Sequence, residues 1–114
     1  MAFHEEKIKS QLIMLAAQFV AREASRQSII TVTGISLSRD GNHATVLCTV
    51  LPEAKEAEAI DFLRRQRTDF YQFVLNYTKG RKTPLFDFSI DVGEKSRQRL
   101  DKLFTDDKLS HDSK

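Results

Sequence analysis

Between positions 64 and 82 the cations Arg64, Arg65, Arg67, Lys79, Arg81 and Lys82 face one acid, Asp69, a local charge of +5. Guanidinium groups present planar forks of donors that match phosphate oxygens, and ammonium groups add compact point charges. Lys79-Gly80-Arg81-Lys82 sets three cations around a glycine, where a phosphate backbone can approach the main chain closely. Arg39, in a polar turn, is a further candidate. Immediately before this block, residues 53–61 carry Glu53, Glu56, Glu58 and Asp61 against Lys55, a charge of −3. Blocks of opposite sign within a chain of net charge +2 describe an oriented surface, and the chemistry is that of holding a polyanion.

Catalysis finds no comparable support. His4, His43 and His111 are scattered, and one cysteine cannot build a zinc site. The glycines at 34, 41, 80 and 93 form neither a P-loop nor a dinucleotide fingerprint, and no G-x-S-x-G elbow is present. Ser38 and Asp40 beside Gly41 are explained by turn chemistry. A non-enzymatic protein with no metal and no cofactor is expected.

The elements that must position the cations follow from periodicity. Ile8, Leu12, Leu15, Ala16, Phe19 and Val20 recur at helical spacing, predicting a helix over 4–24. Residues 28–51 read as two strands joined by Arg39-Asp40-Gly41-Asn42, since Asp-Gly accepts the positive φ of a tight turn. In the second strand Ala44, Val46, Cys48 and Val50 share a face, which makes Cys48 a small core residue. In the first, Ile30 and Val32 share one phase, and Ile35 and Leu37 take the other. One extra residue at Gly34, a β-bulge, restores a single apolar face.

Pro52 is placed as the first residue of a helical stretch reaching about Thr78, with Gly80 as its cap. A straight helix of that length would reach about 40 Å, long for so small a domain. Its apolar stripe also fails at Gln66-Arg67-Thr68, where either one helix bends or two meet; the bend is the favoured reading. Phe70, Phe73 and Tyr77 follow the stripe and read as core, whereas Tyr71 is out of phase and available to stack on a base. Pro84 opens a third strand with Phe86, Phe88 and Ile90 on one face. Residues 93–104 form a short helix anchored by Leu100, Leu103 and Phe104, and 105–114 a disordered polar tail.

These elements give one α+β domain over 1–104, in the order α-β-β-α-(α)-β, a two-layer sandwich with helices on one face of a three-stranded sheet. Eight phenylalanines and no tryptophan point to a phenylalanine core. No apolar run approaches the ~20 residues of a membrane span, and no secretory or transit character marks the N-terminus, so the cytoplasm is the expected compartment.

The hairpin TVTGISLSRDGNHATVLCTVL resembles that of the ribosome-binding factor A family, with its V-x-x-S-x-D … A-x-V pattern at Ile35, Ser38, Asp40, Ala44 and Val46. The R-x-x-P element opening that family's last strand is matched by Arg81-Lys82-Thr83-Pro84. Phe86, Phe88, Asp91, Arg97 and Leu100 follow the same pattern, and the likeness covers about residues 5–104. The resemblance implies a KH-like (type II) domain that binds the free 30S ribosomal subunit in late maturation and contacts 16S rRNA without catalysis. The family's Ala-x-Gly helix break is replaced here by Gln66-Arg67-Thr68, so other residues must make the kink. The Asp-Pro-Arg common before the first strand is also missing at Ala24-Ser25-Arg26-Gln27. A monomer is expected away from the ribosome.

Two other readings compete with an rRNA-binding assembly factor. One is a KH-like protein–protein interaction module whose acidic and basic halves, within 53–82, pair with another chain or with a copy of itself. The other is a general RNA-binding protein of KH type, which the missing G-x-x-G clamp disfavours.

Overall fold

The computed structural model describes the backbone of residues 2–23, 27–79 and 82–112, with side chains over 6–23, 27–79, 82–101 and 103. Helix α1 spans Ala2–Glu23, strands β1 and β2 span Ile29–Leu37 and His43–Leu51, and a 3-10 turn follows at Glu53–Lys55. Helices α2 (Glu56–Arg65) and α3 (Arg67–Thr78) lead to β3 (Leu85–Ile90) and α4 (Val92–Asp112). The sheet order is β1-β2-β3, with β1 antiparallel and β3 parallel to the central strand. The fold is thus α+β, with α2 and α3 forming the crossover that a parallel pair requires.

The hairpin is bulged where its phase changes. Val32 pairs with Cys48 and Gly34 with Leu47, leaving Thr33 surplus. Ile35 and Leu37, opposite Val46 and Ala44, thereby return to the helix-facing side. At the tip Gly41 has φ 74°, and the Asp40 carboxylate accepts from Ser38 Oγ at 2.6 Å and from the Asn42 amides at 3.0 and 3.1 Å. The Ser38 hydroxyl, more than any other partner, holds Asp40 below the usual carboxylate range.

Ala44, Val46, Cys48, Phe86 and Phe88 of the sheet share one cluster with Leu12, Leu15, Phe19, Leu63, Phe70 and Val74 of the helices. Phe70 is its hub. Its ring centroid lies 4.6 Å from Phe86, 5.2 Å from Phe19 and 5.7 Å from Phe88. Burial of Cys48 pushes its thiol up to about 12, which leaves it a packing residue.

Several boundaries differ from the sequence reading. The long helix is interrupted rather than bent: Gln66 (φ −94°, ψ 8°) bonds its N–H back to Leu63 O at 2.9 Å, and Phe70 N–H restarts the ladder on Gln66 O. Arg67 and Thr68 already belong to α3. The break lets the Ala59-Ile60-Leu63 and Phe70-Val74 faces both meet one twisted sheet. Pro52 stands before the 3-10 turn instead of inside a helix, and Lys79, not Gly80, caps α3 in the left-handed region (φ 57°). Gly80 and the 24–26 connector lie outside the described residues. Tyr77 is 52% exposed and is no core residue.

At the other end α4 runs to Asp112, past the expected stop at Phe104, since no glycine or proline follows Gly93. Leu100 and Leu103 are exposed, so they do not anchor it, and the Phe104 side chain lies outside the described residues. Its first turn is fixed by Asp91, whose Oδ1 accepts from Glu94 N–H at 3.0 Å and whose Oδ2 accepts from the Thr33 hydroxyl at 2.6 Å.

Val46→Ala, at a fully buried position, will cost about 1–3 kcal/mol in a denaturant series, and Phe70→Ala about 3–5 kcal/mol. Asp91 supplies a pH test. The Thr33 hydroxyl first, then the Glu94 amide, hold its carboxyl below the ordinary 3.8. The unfolded chain therefore binds that proton more readily, so this contribution is complete above pH ~4 and fades as pH falls through the lower folded value. Asp91→Ala will lose about 1 kcal/mol at neutral pH, and the difference from wild type will shrink in strong acid.

Candidate nucleic-acid interface

The interruption at Gln66 sets Arg64 and Arg65 at the end of α2 and Arg67 at the start of α3. With Asp61 they border a shallow groove of about 370 Å³. The three guanidinium groups are not equivalent, and the reason lies in β3.

Leu85 and Asp91 donate their N–H groups to Asn42 and Cys48 on the β2 side. By the alternation of a parallel ladder, residues 86, 88 and 90 turn their main-chain groups to the open edge. At Phe88 both are met by side chains: its N–H donates to Asp87 Oδ1 at 2.8 Å, and Arg64 Nε donates to its carbonyl at 3.1 Å. Asp87 Oδ1 also lies 3.3 Å from Arg64 Nε and 3.6 Å from Arg67. Arg64 and Asp87 together plug an edge that would otherwise invite another strand.

Arg65 is exposed and carries no ion pair among the described residues. Lys79 and Lys82 are likewise exposed, near the α3 terminus where the Thr78 and Thr83 hydroxyls meet at 3.4 Å. Arg39 projects from the rigid hairpin tip, whose Asn42 bonds to Leu85. Arg81 lies outside the described residues. The candidate cations that the structure describes therefore border the β3 side of the sheet. Between them an open groove of about 550 Å³ is lined by His43, Arg67, Thr68, Tyr71 and Phe86 among others. Tyr71 is partly buried against the core while facing this groove.

The acidic segment has partners of its own. Lys95 Nζ lies 2.6 Å from Glu53 and 2.9 Å from Glu56, and Arg99 pairs with Glu53. Lys95 before Arg99 holds Glu53 low, and Glu53 and Glu56 raise Lys95. No metal-ligating cluster of His, Cys, Asp or Glu occurs among the described residues, and no helix described is long and apolar enough to cross a membrane.

The sequence profile of ribosome-binding factor A matches residues 4–104. The chain belongs to the ribosome-binding factor A family. Among solved structures, a crystal structure of ribosome-binding factor A from Thermus thermophilus is similar with a TM-score of 0.66, at 21% identity, over 75% of this chain and 93% of that one. A Thermus thermophilus ribosome-binding factor A model fitted into the cryo-EM map of a 30S complex has a TM-score of 0.62, at 22% identity, over 71% of this chain and 88% of that one. At these identities the likeness is one of fold, the KH-like α+β architecture. No curated protein matches the chain.

In this member of the ribosome-binding factor A family the roles of Asp87 and Asp91 went unread in the sequence. Asp91-Val92-Gly93-Glu94 is legible as a helix-start signal, an acid followed three residues later by glutamate. Nothing local marks Asp87, whose role depends on which edge of β3 stays open. The division of the arginines is measurable. Arg64→Ala will lower stability by roughly 0.5–1.5 kcal/mol through the orphaned Phe88 carbonyl. Arg65→Ala will leave the urea midpoint unchanged.

Proposed function

We propose that this protein binds the small ribosomal subunit during late maturation, gripping 16S rRNA through phosphate contacts and catalysing no reaction. The observation that carries the reading is the set of cations bordering the β3 side of the fold, in a chain of this family. Arg39, Arg65, Lys79 and Lys82 have no ion pair among the described residues and offer free charge, and Arg81 joins them by sequence. Arg64 and Arg67 share their charge with Asp87. The Thermus factor fitted in a 30S complex supports the same partner for this chain.

With Phe70 at the centre of the core and Tyr71 half covered, no paired aromatic platform for stacking bases is presented among the described residues. Recognition of folded RNA by shape and backbone fits this surface better than reading of a single strand. Such a protein works in the cytoplasm and as a monomer away from the ribosome. An interaction module using both charge blocks is less well supported, because Glu53 and Glu56 already have partners on α4.

Affinity for purified free 30S subunits will fall steeply with salt, each phosphate contact adding roughly 0.9 to the log–log slope on duplex-like RNA. Replacing Arg65, Lys79 and Lys82 by Gln will flatten the slope by about three units while leaving the fold intact. A correctly folded triple variant with wild-type affinity and slope overturns the site assignment. Failure of the wild type to bind free subunits overturns the proposed partner.

A further inference from the structure

Helix α4 has an unusual attachment. Val92, Leu100 and Leu103 are 70%, 54% and 63% exposed, so no large aliphatic side chain described on it is buried against the body. The contacts described for it are polar: the Asp91 cap at its start, Lys95 between Glu53 and Glu56, and Arg99 on Glu53. Lys95 and Arg99 are four residues apart and so lie on one helical face, turned toward the acidic segment. Arg97 is engaged by Glu94 of its own helix at 2.6 Å.

We propose that Lys95 and Arg99 form a second phosphate-binding face, which Glu53 and Glu56 cover as stand-ins for phosphate until RNA displaces them. The ligand in this inference rests on the RNA-binding reading above; the latch rests on the geometry of α4. Three features point the same way. Both cations meet carboxylates, whose oxygens offer the charge-assisted contacts that phosphate oxygens also offer. The Glu53 and Arg99 side chains are 53% and 61% exposed, so solvent and a competing anion have access to the pair. Ion pairs this exposed are weak and screened by salt, whereas a phosphate contact gains from counterion release. Exchange of carboxylate for phosphate therefore begins at the exposed Arg99–Glu53 pair, and the more covered Lys95, shared between Glu53 and Glu56, follows once Glu53 is released.

The test uses the full chain in two variants, Glu53→Gln/Glu56→Gln and Lys95→Gln/Arg99→Gln, titrated onto purified 30S subunits across a salt series. Uncovering the face will tighten binding roughly five- to tenfold, and removing its cations will weaken binding and lower the salt slope by about two units. Spin labels on Gln18→Cys and Ser96→Cys will report the distance from α1 to α4, since buried Cys48 does not compete for label. That distance will change on adding a short RNA duplex. Wild-type binding by both variants, alongside weakened binding by the Arg65/Lys79/Lys82 variant, overturns this inference and leaves the RNA-binding reading standing. Loss of binding confined to the basic residues of α4 would support this inference against the Arg65 assignment. A label distance that changes with 30S subunits but not with the duplex identifies a protein partner and overturns the phosphate assignment.

Discussion

Thr33 takes no place in the β1–β2 register, and that surplus residue has two effects at once. It shifts the register so that Ile30 and Val32 before it, and Ile35 and Leu37 after it, turn to the same face. Without the shift, one half of the strand would present its aliphatic side chains to water. It also places a hydroxyl against Asp91, the residue that caps α4. A local irregularity in the first strand thus aligns the core and fixes where the last helix begins.

The sheet and its core were legible because burial leaves a periodic trace. Alternation in 44–50 and in 86–90 marked the helix-facing sides of β2 and β3, and the changed phase of β1 marked its bulge. Helix ends were less legible. Lys79 caps α3 although the more permissive Gly80 follows, and α4 continues because no breaker stops it. The candidate site was legible as a list of cations and not as an arrangement. Which arginine is tied down depends on the open edge of β3, a fact of pairing between residues far apart in sequence. The bond between Arg64 and the Phe88 carbonyl therefore has no local signature.

Charge in this fold is divided between holding the structure and facing outward. Arg22 lies over the rings of Phe73 and Phe19, 5.0 and 5.6 Å from their centroids, and screens an otherwise open part of the core. Arg64 closes a strand edge, and Lys95 and Arg99 secure a helix. Of the candidate cations, Arg65, Lys79 and Lys82 carry no ion pair among the described residues. Lys79 among them adopts a backbone conformation that glycine would hold with less strain, so its charge is kept at some cost in local stability.

The parallel pairing of β3 with the central strand also sets an order of assembly. The hairpin closes over a short loop, so its contacts are local and form early. Phe86 and Phe88, by contrast, reach Phe70 and Val46 only after the whole α2–α3 crossover has been laid down. A nascent chain therefore carries a half-open core until the segment after Pro84 has left the synthesis machinery. Capture of β3, the longest-range pairing in the sheet, therefore carries the largest loop-closure cost among the strand pairings.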